Sequence, residues 1–270
     1  MKKVIITATL AATLLGTSVS AYAFSNKNVN PQVKPSIETK VSAYSDITKD
    51  PDNKAGKIEY TKTASLREDG SEGLIFESWN DPKTLDSRMD NISRNDGNVN
   101  FYTSSYTKDK GRSIITLQRD SNGNATSGDY IPVDEKGAEY NNSLYLKNNT
   151  FTAIRAQYES SEWTSEGNLT QDGITLKKVS KSYMGLEKKP ALDKSQAYSK
   201  VQMKQVAYLD ENTGLPTKIE TYILKNDKFE LQDTTLYEFK YIESAGNLFD
   251  TSGVKLNQLP EYKYDANAVG

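Results

Sequence analysis

Five short signatures, Asp69-Gly70, Asp96-Gly97, Lys110-Gly111, Asn122-Gly123 and Asp172-Gly173, punctuate this chain between β-rich runs. Glycine takes the positive φ of a tight hairpin without steric cost, and Asp and Asn tolerate it, so each pair reads as a reversal of chain direction. The runs between them alternate. Ile58, Tyr60, Ala64 and Leu66 fall on one side of the first run, with Glu59, Thr61, Thr63 and Ser65 on the other, a period of two with Lys62 the exception. Residues 74–79, 99–106, 113–119, 174–183, 201–209, 217–224 and 229–242 continue the series. In 174–183 the apolar side changes between Leu176 and Val179, which predicts a bulge there. In 229–242, Phe229, Leu231, Tyr237, Phe239 and Tyr241 share one parity and predict a half-buried strand. No long amphipathic helix follows any turn, which favours an antiparallel meander over βαβ units. The one interruption lies at 134–161, where Ala138, Tyr140, Leu144, Leu146, Phe151, Ile154, Ala156 and Tyr158 do not alternate; a short helix or two, broken near Asn148-Asn149, is expected.

The ends of the chain differ from its body. Lys2 and Lys3, an apolar run over 4–19 and Ala21-Tyr22-Ala23 have the layout of a secretory signal peptide cleaved after Ala23. Residues 24–54, with Pro31, Pro35 and Pro51 among polar residues, read as a flexible leader with at most a helical turn or two around 37–44. A single domain is expected over 55–262, followed by a polar tail at 263–270, and the mature protein is expected to be secreted or extracytoplasmic and not membrane-spanning.

Composition narrows the chemistry. The 270 residues contain no histidine and no cysteine, so disulfides, imidazole catalysis, thiolate nucleophiles and the usual zinc sites are all closed. Thirty-four basic against 36 acidic side chains leave no electrostatic footprint for nucleic acid. Seventeen tyrosines supply apolar area that the sparse aliphatic residues do not, as suits a sheet with one buried and one wet face. Asp120-Ser121-Asn122-Gly123-Asn124 begins like a calcium loop, but Ala125 stands at its sixth position and Ile131 at its twelfth, where glycine and a bidentate glutamate are needed. No metal, no cofactor and no enzymatic activity are expected.

The segment from Tyr208 through Asp210-Glu211-Asn212-Thr213-Gly214-Leu215-Pro216 to Glu220, followed by a strand with Tyr237 and Phe239 and then Leu248-Phe249-Asp250, resembles the C-terminal half of the periplasmic lipoprotein-carrier (LolA-like, RseB-like) superfamily. Trp163 ahead of Gly167, and the Asp172-Gly173 turn before Lys177 and Lys178, add to the resemblance. It implies a mainly β, α+β fold: a curved antiparallel sheet forming an unclosed half-barrel, with a few helices covering the concave side. Members hold acyl chains or lipids there, or act as lipid-responsive regulators of envelope stress. The turn chemistry of Asp210, Asn212, Gly214 and Pro216 accounts for the central motif as a hairpin without any ligand. This chain departs from the carriers in spending its apolar surface on tyrosine, and its long polar leader and Asn- and Gly-rich turns suit a bacterium with a single membrane; lipoprotein trafficking is therefore not carried over.

The expected function is that of an exported, non-catalytic protein holding a hydrophobic or amphipathic small molecule, a lipid or acyl chain, against the concave sheet. The candidate ligand-binding residues are Trp79, Trp163, Tyr208, Tyr222, Tyr237 and Phe239, large rings whose phenolic or indole groups could orient a ligand; the same rings would also serve as ordinary core. The alternative is a regulatory or sensory envelope protein that docks a membrane-anchored partner, and a carboxylate-dependent hydrolase ranks last.

Overall fold

The computed structural model describes residues 57–188 and 198–265. The expected signal peptide, the leader with its possible turns at 37–44, and the last five residues of the tail lie outside the described residues.

Six strands come first: β1 (Ile58–Leu66), β2 (Glu72–Asn80), β3 (Ser87–Asn95), β4 (Asn98–Lys108), β5 (Ser113–Arg119) and β6 (Ala125–Pro132). Two helices follow, α1 (Glu135–Asn148) and α2 (Phe151–Glu159), and then β7 (Thr164–Gln171), β8 (Ile174–Lys188), β9 (Tyr198–Asp210), β10 (Pro216–Lys225), β11 (Lys228–Ile242) and the short β12 (Leu256–Gln258). All twelve strands join one sheet in the order β12-β6-β5-β4-β3-β2-β1-β11-β10-β9-β8-β7. The two halves of the chain are thus stitched together by β1 against β11, from Ile58↔Ile242 to Ser65↔Thr235. Every pairing is antiparallel except β12 on β6. Both ends of the order are edges, so the sheet stays open, and the twist accumulated over twelve strands curls it into a half-barrel.

Helix formation in the middle follows local rules. Asp134 caps α1 by accepting from the Gly137 N–H, and Thr150 caps α2 by accepting from the Ala153 N–H. The break between the helices falls at Asn149-Thr150, beside the expected Asn148-Asn149. No helix among the described residues is long and apolar enough to cross a membrane.

Cross-strand partners share a face, so the pairings sort the side chains into two sets. The inner face, which carries α2, holds Tyr237, Phe239 and Tyr241 of β11, Glu59, Thr61 and Thr63 of β1, Phe76 of β2, Met89 and Asn91 of β3, and Val179, Ala207, Leu209 and Ile219 farther along. The outer face buries Ala64, Ile75 and Ile92 in one cluster and Tyr106, Ile115 and Leu117 in another. Val254 and Leu256 pack on the second. A Cβ at Gly128 would lie 2.5 Å from Leu117 Cδ2 and 2.8 Å from Leu256 Cδ2, so the missing side chain lets these leucines meet across β6.

Three differences from the sequence reading have physical causes. Strands β3, β6 and β7 escape the alternation test because Ser, Asn, Asp, Gly and Thr fill them; their neighbours, not their own apolar content, hold them in the sheet. No bulge interrupts β8 against β9: the register runs unbroken from Leu176↔Asp210 to Lys188↔Tyr198. Leu176 and Val179 are buried on opposite faces, and the irregularity belongs to β7 between Ser165 and Gly167. The single parity expected for Phe229 to Tyr241 is also broken. The register shifts between Thr221 and Tyr222, so Leu231 faces Tyr222 and Phe229 faces Leu224 on the outer side, while Tyr237, Phe239 and Tyr241 stay inside.

Candidate functional site

The six aromatic residues singled out in the sequence do not line one surface. Trp163, Tyr237 and Phe239 lie on the inner face beside α2; Trp79, Tyr208 and Tyr222 lie on the outer face.

On the inner face, α2 presses its apolar side onto the sheet. Phe151 meets Phe239 edge-on at 5.2 Å and Tyr241 at 5.1 Å, and these join Ile154 and Leu215 in a buried cluster. Tyr158 packs on Trp163 at 5.0 Å above Val179, Ala207, Leu209 and Ile219. Lys181 Nζ sits 4.9 Å from the Trp163 ring, a cation over an aromatic face. Arg155 of α2, also buried, donates from Nε to the Thr213 carbonyl at 2.7 Å and so ties the helix to the Asp210–Pro216 turn. The turn itself is built as its residues imply: Asp210 accepts from the Thr213 N–H at 2.8 Å, and Gly214 has φ 69°.

On the outer face, Tyr208, Tyr222 and Lys218 converge on one carboxylate. The two phenols donate to Glu220 Oε2 at 2.8 and 2.7 Å, and Lys218 Nζ donates to Oε1 at 2.9 Å. Burial alone would raise the Glu220 pKa, but Lys218 and the phenols outweigh it and hold the group below the ordinary value. Trp79 belongs to a different group, tilted against Tyr60 at 5.4 Å and covered by the Arg88 guanidinium at 4.8 Å.

A feature that the alternation pattern does not show is polar. Among the described residues the buried side-chain oxygens with no protein hydrogen-bond partner include Thr61 Oγ1 on β1 and Asn91 Oδ1 on β3, both on the inner face, and Asn141 Oδ1 and Tyr145 OH one turn apart on α1. The two strand residues share the inner face with Glu59, whose charge reaches Tyr145. A buried polar atom without a partner costs about 1–3 kcal/mol. On the same face of the sheet Phe76, Met89 and Ile114 are half-buried. Helix α1 buries whole residues only at its start, Gly137 and Ala138, whereas α2 buries Phe151, Ile154 and Arg155. The available signal was the side of β1 made of Glu59, Thr61, Thr63 and Ser65. It reads as the solvent face but carries no lysine, and Glu59 and Thr61 prove buried.

Glu59 closes one end of this region. It accepts the Phe151 N–H at 3.1 Å, adding its carboxylate to the start of α2. Burial pushes its pKa up to about 7, against the opposing pull of that hydrogen bond and of Arg155.

Two shallow depressions open elsewhere. One, of about 360 Å³, lies where β12 joins β6, beside Thr116, Asp129, Lys255 and Asn257; the other, of about 380 Å³, lies between Asp81, Asp86, Lys108, Phe249 and Asp250. Among the described residues no group of three or more Asp or Glu is placed to hold a metal ion.

The protein is an unclosed antiparallel half-barrel with two helices across its inner face, the architecture that the sequence resemblance implies. Two solved structures to which it is similar are LprF from Mycobacterium bovis, at 14% identity and TM-score 0.32 over 70% of this chain and 86% of that one, and the Mycobacterium tuberculosis lipoprotein LppX, at 10% identity and TM-score 0.31 over 72% and 90%. A third is a β-barrel-like protein of a domain of unknown function from Brucella abortus, at 9% identity and TM-score 0.22 over 70% and 97%. No family model and no curated protein matches the sequence.

Proposed function

We propose that this is an exported, non-catalytic binding protein that takes a lipid or acyl chain on its inner face beneath α1. The observation that carries the reading is the set of oxygens without a protein partner, on Thr61 and Asn91 of the inner face and on Asn141 and Tyr145 of α1, with half-buried Phe76, Met89 and Ile114 on that same face of the sheet. Apolar side chains with a few convergent polar groups are the usual lining for an amphipathic small molecule. Trp163, Tyr237 and Phe239 bound the site on the α2 side, and α1 is its movable cover. Residues 1–23 serve as the export signal.

The test is mass spectrometry of the protein purified without denaturant from its secretion host. The expected spectrum shows a chain beginning at Phe24 that carries one lipid, which organic solvent extracts. Replacing Thr61→Val or Asn91→Leu should stabilise the empty protein by about 1 kcal/mol each, because an orphaned polar atom is removed. The same variants should lower lipid loading. An empty protein that also takes up no fluorescent acyl probe would end this reading.

A second reading, a regulatory envelope protein that docks another chain, draws on the edge of β8 that has no strand beside it among the described residues, and on its exposed Met184 and Leu186.

A further inference from the structure

Strand β8 is fifteen residues long, but β7 pairs with it only from Ile174 to Ser180. From Lys181 to Glu187 the side of β8 away from β9 has no strand beside it among the described residues. Natural sheets protect such edges with charge, proline or a covering element. Here the edge carries Lys181 and Glu187 on its inner face but presents Met184 and Leu186, 64% and 57% exposed, together on the outer face, two of the most exposed large apolar side chains described.

The sequence of this edge is self-complementary. A two-fold axis normal to the sheet through Met184 would set two copies of β8 antiparallel, with each residue keeping its face. Met184 then faces Met184 of the second copy, Ser182 faces Leu186, and Lys181 faces Glu187, twice over. The inner-face charges would alternate along the joint. Lys181 already pairs with Glu162 at 3.9 Å, and Glu187 with Lys225 at 3.2 Å, so each new pair extends an existing one into a row of opposite signs. The free window runs seven residues, from the point where β7 ends, and Met184 is its centre. A shift of the axis by one residue to Gly185 would place Tyr183 against Glu187 and leave Lys181 outside the pairing, so charge selects the register at Met184.

We infer that the open edge of β8 is a homodimer joint, in which two copies pair strand to strand through Lys181–Glu187 and bury Met184 and Leu186. Backbone hydrogen bonds would hold the joint, and the Lys181 to Glu187 pairs would set its register. So short a contact gives a weak dimer, dissociating at roughly 10 µM.

Sedimentation velocity of the mature chain, residues 24–270, over a hundredfold range of concentration tests this. The expected result is a monomer–dimer equilibrium that Leu186→Lys abolishes and Glu187→Lys weakens at least about tenfold by opposing like charges. Lys181→Glu combined with Glu187→Lys restores opposite charges across the axis and should return the dimer to within about threefold of the original. Thermal unfolding of each variant shows that the monomer is intact. A chain that stays monomeric throughout, or a dimer indifferent to both the single and the double charge exchange, would overturn the inference. The first result would leave the edge to a different chain.

Discussion

Replacing Asp90→Ala should cost about 3–5 kcal/mol of unfolding free energy. Asp90 is 1% exposed on the outer face of β3. It accepts both Arg88 Nε at 2.9 Å and Arg88 Nη2 at 2.7 Å, and takes the Tyr102 hydroxyl at 2.7 Å. Arg88 in turn lies between the Trp79 and Tyr106 rings, at 4.8 and 5.6 Å, and Arg119 continues the row over Tyr102 at 5.7 Å while donating to the Tyr106 hydroxyl. Without Asp90 a guanidinium is left between two rings with no counter-charge, and the Tyr102 hydroxyl loses its acceptor. The penalty comes from stranding the partner and not from the pair's intrinsic worth, so Arg88→Met with Asp90→Leu should lie within about 2 kcal/mol of the natural protein. Denaturant titration of the two variants distinguishes the cases. A double variant as unstable as the single would mean that the outer face depends on the charges themselves.

Glu59 should make the protein lose stability as pH rises. Its folded pKa, raised by burial to about 7, lies above the ordinary carboxyl value of 4.5. Below pH 4.5 the group is protonated in both states and has no effect on folding. Between 4.5 and 7 the unfolded chain releases the proton while the folded chain keeps it, so the fold is progressively disfavoured, by about 3 kcal/mol once both forms are ionised. Glu59→Gln retains an acceptor for the Phe151 N–H and removes the titration. The variant should match the natural protein at pH 4 and exceed it by about 3 kcal/mol at pH 8. Parallel stability profiles from pH 4 to 8 would show that Glu59 is ionised in the folded protein. If the proposed lipid site is correct, this carboxyl also faces it, and loading would then follow the same pH range.

The features that the sequence determined by itself are local ones. Gly-containing turns and period-two runs defined an antiparallel meander because a hairpin depends on the φ of two residues and on the pleat of the strands beside them. The helical interruption and its break, to within a residue, were readable because caps and periodicity act within a turn or two of the chain. The Tyr208–Glu220 hairpin was legible for the same reason.

What only the tertiary structure decided is which side of each strand lies under the helices. Period two separates two faces but does not say which is inner, and here the inner face of β1 is the polar one, with Glu59 and Thr61 buried. One bulge opposite Thr221/Tyr222 then moves Phe229 and Leu231 away from Phe239, although all share one parity in the sequence. The six candidate aromatics were divided in that way between an α2-packed core and two outer-face polar clusters. The strands β3, β6 and β7, with little apolar content, exist because neighbouring strands offer hydrogen bonds along their whole length. The pairing of β1 with β11 joins residues as distant in the chain as Ile58 and Ile242. Such contacts depend on side chains and backbone brought together from distant segments, and their energies belong to pairs that no local pattern contains.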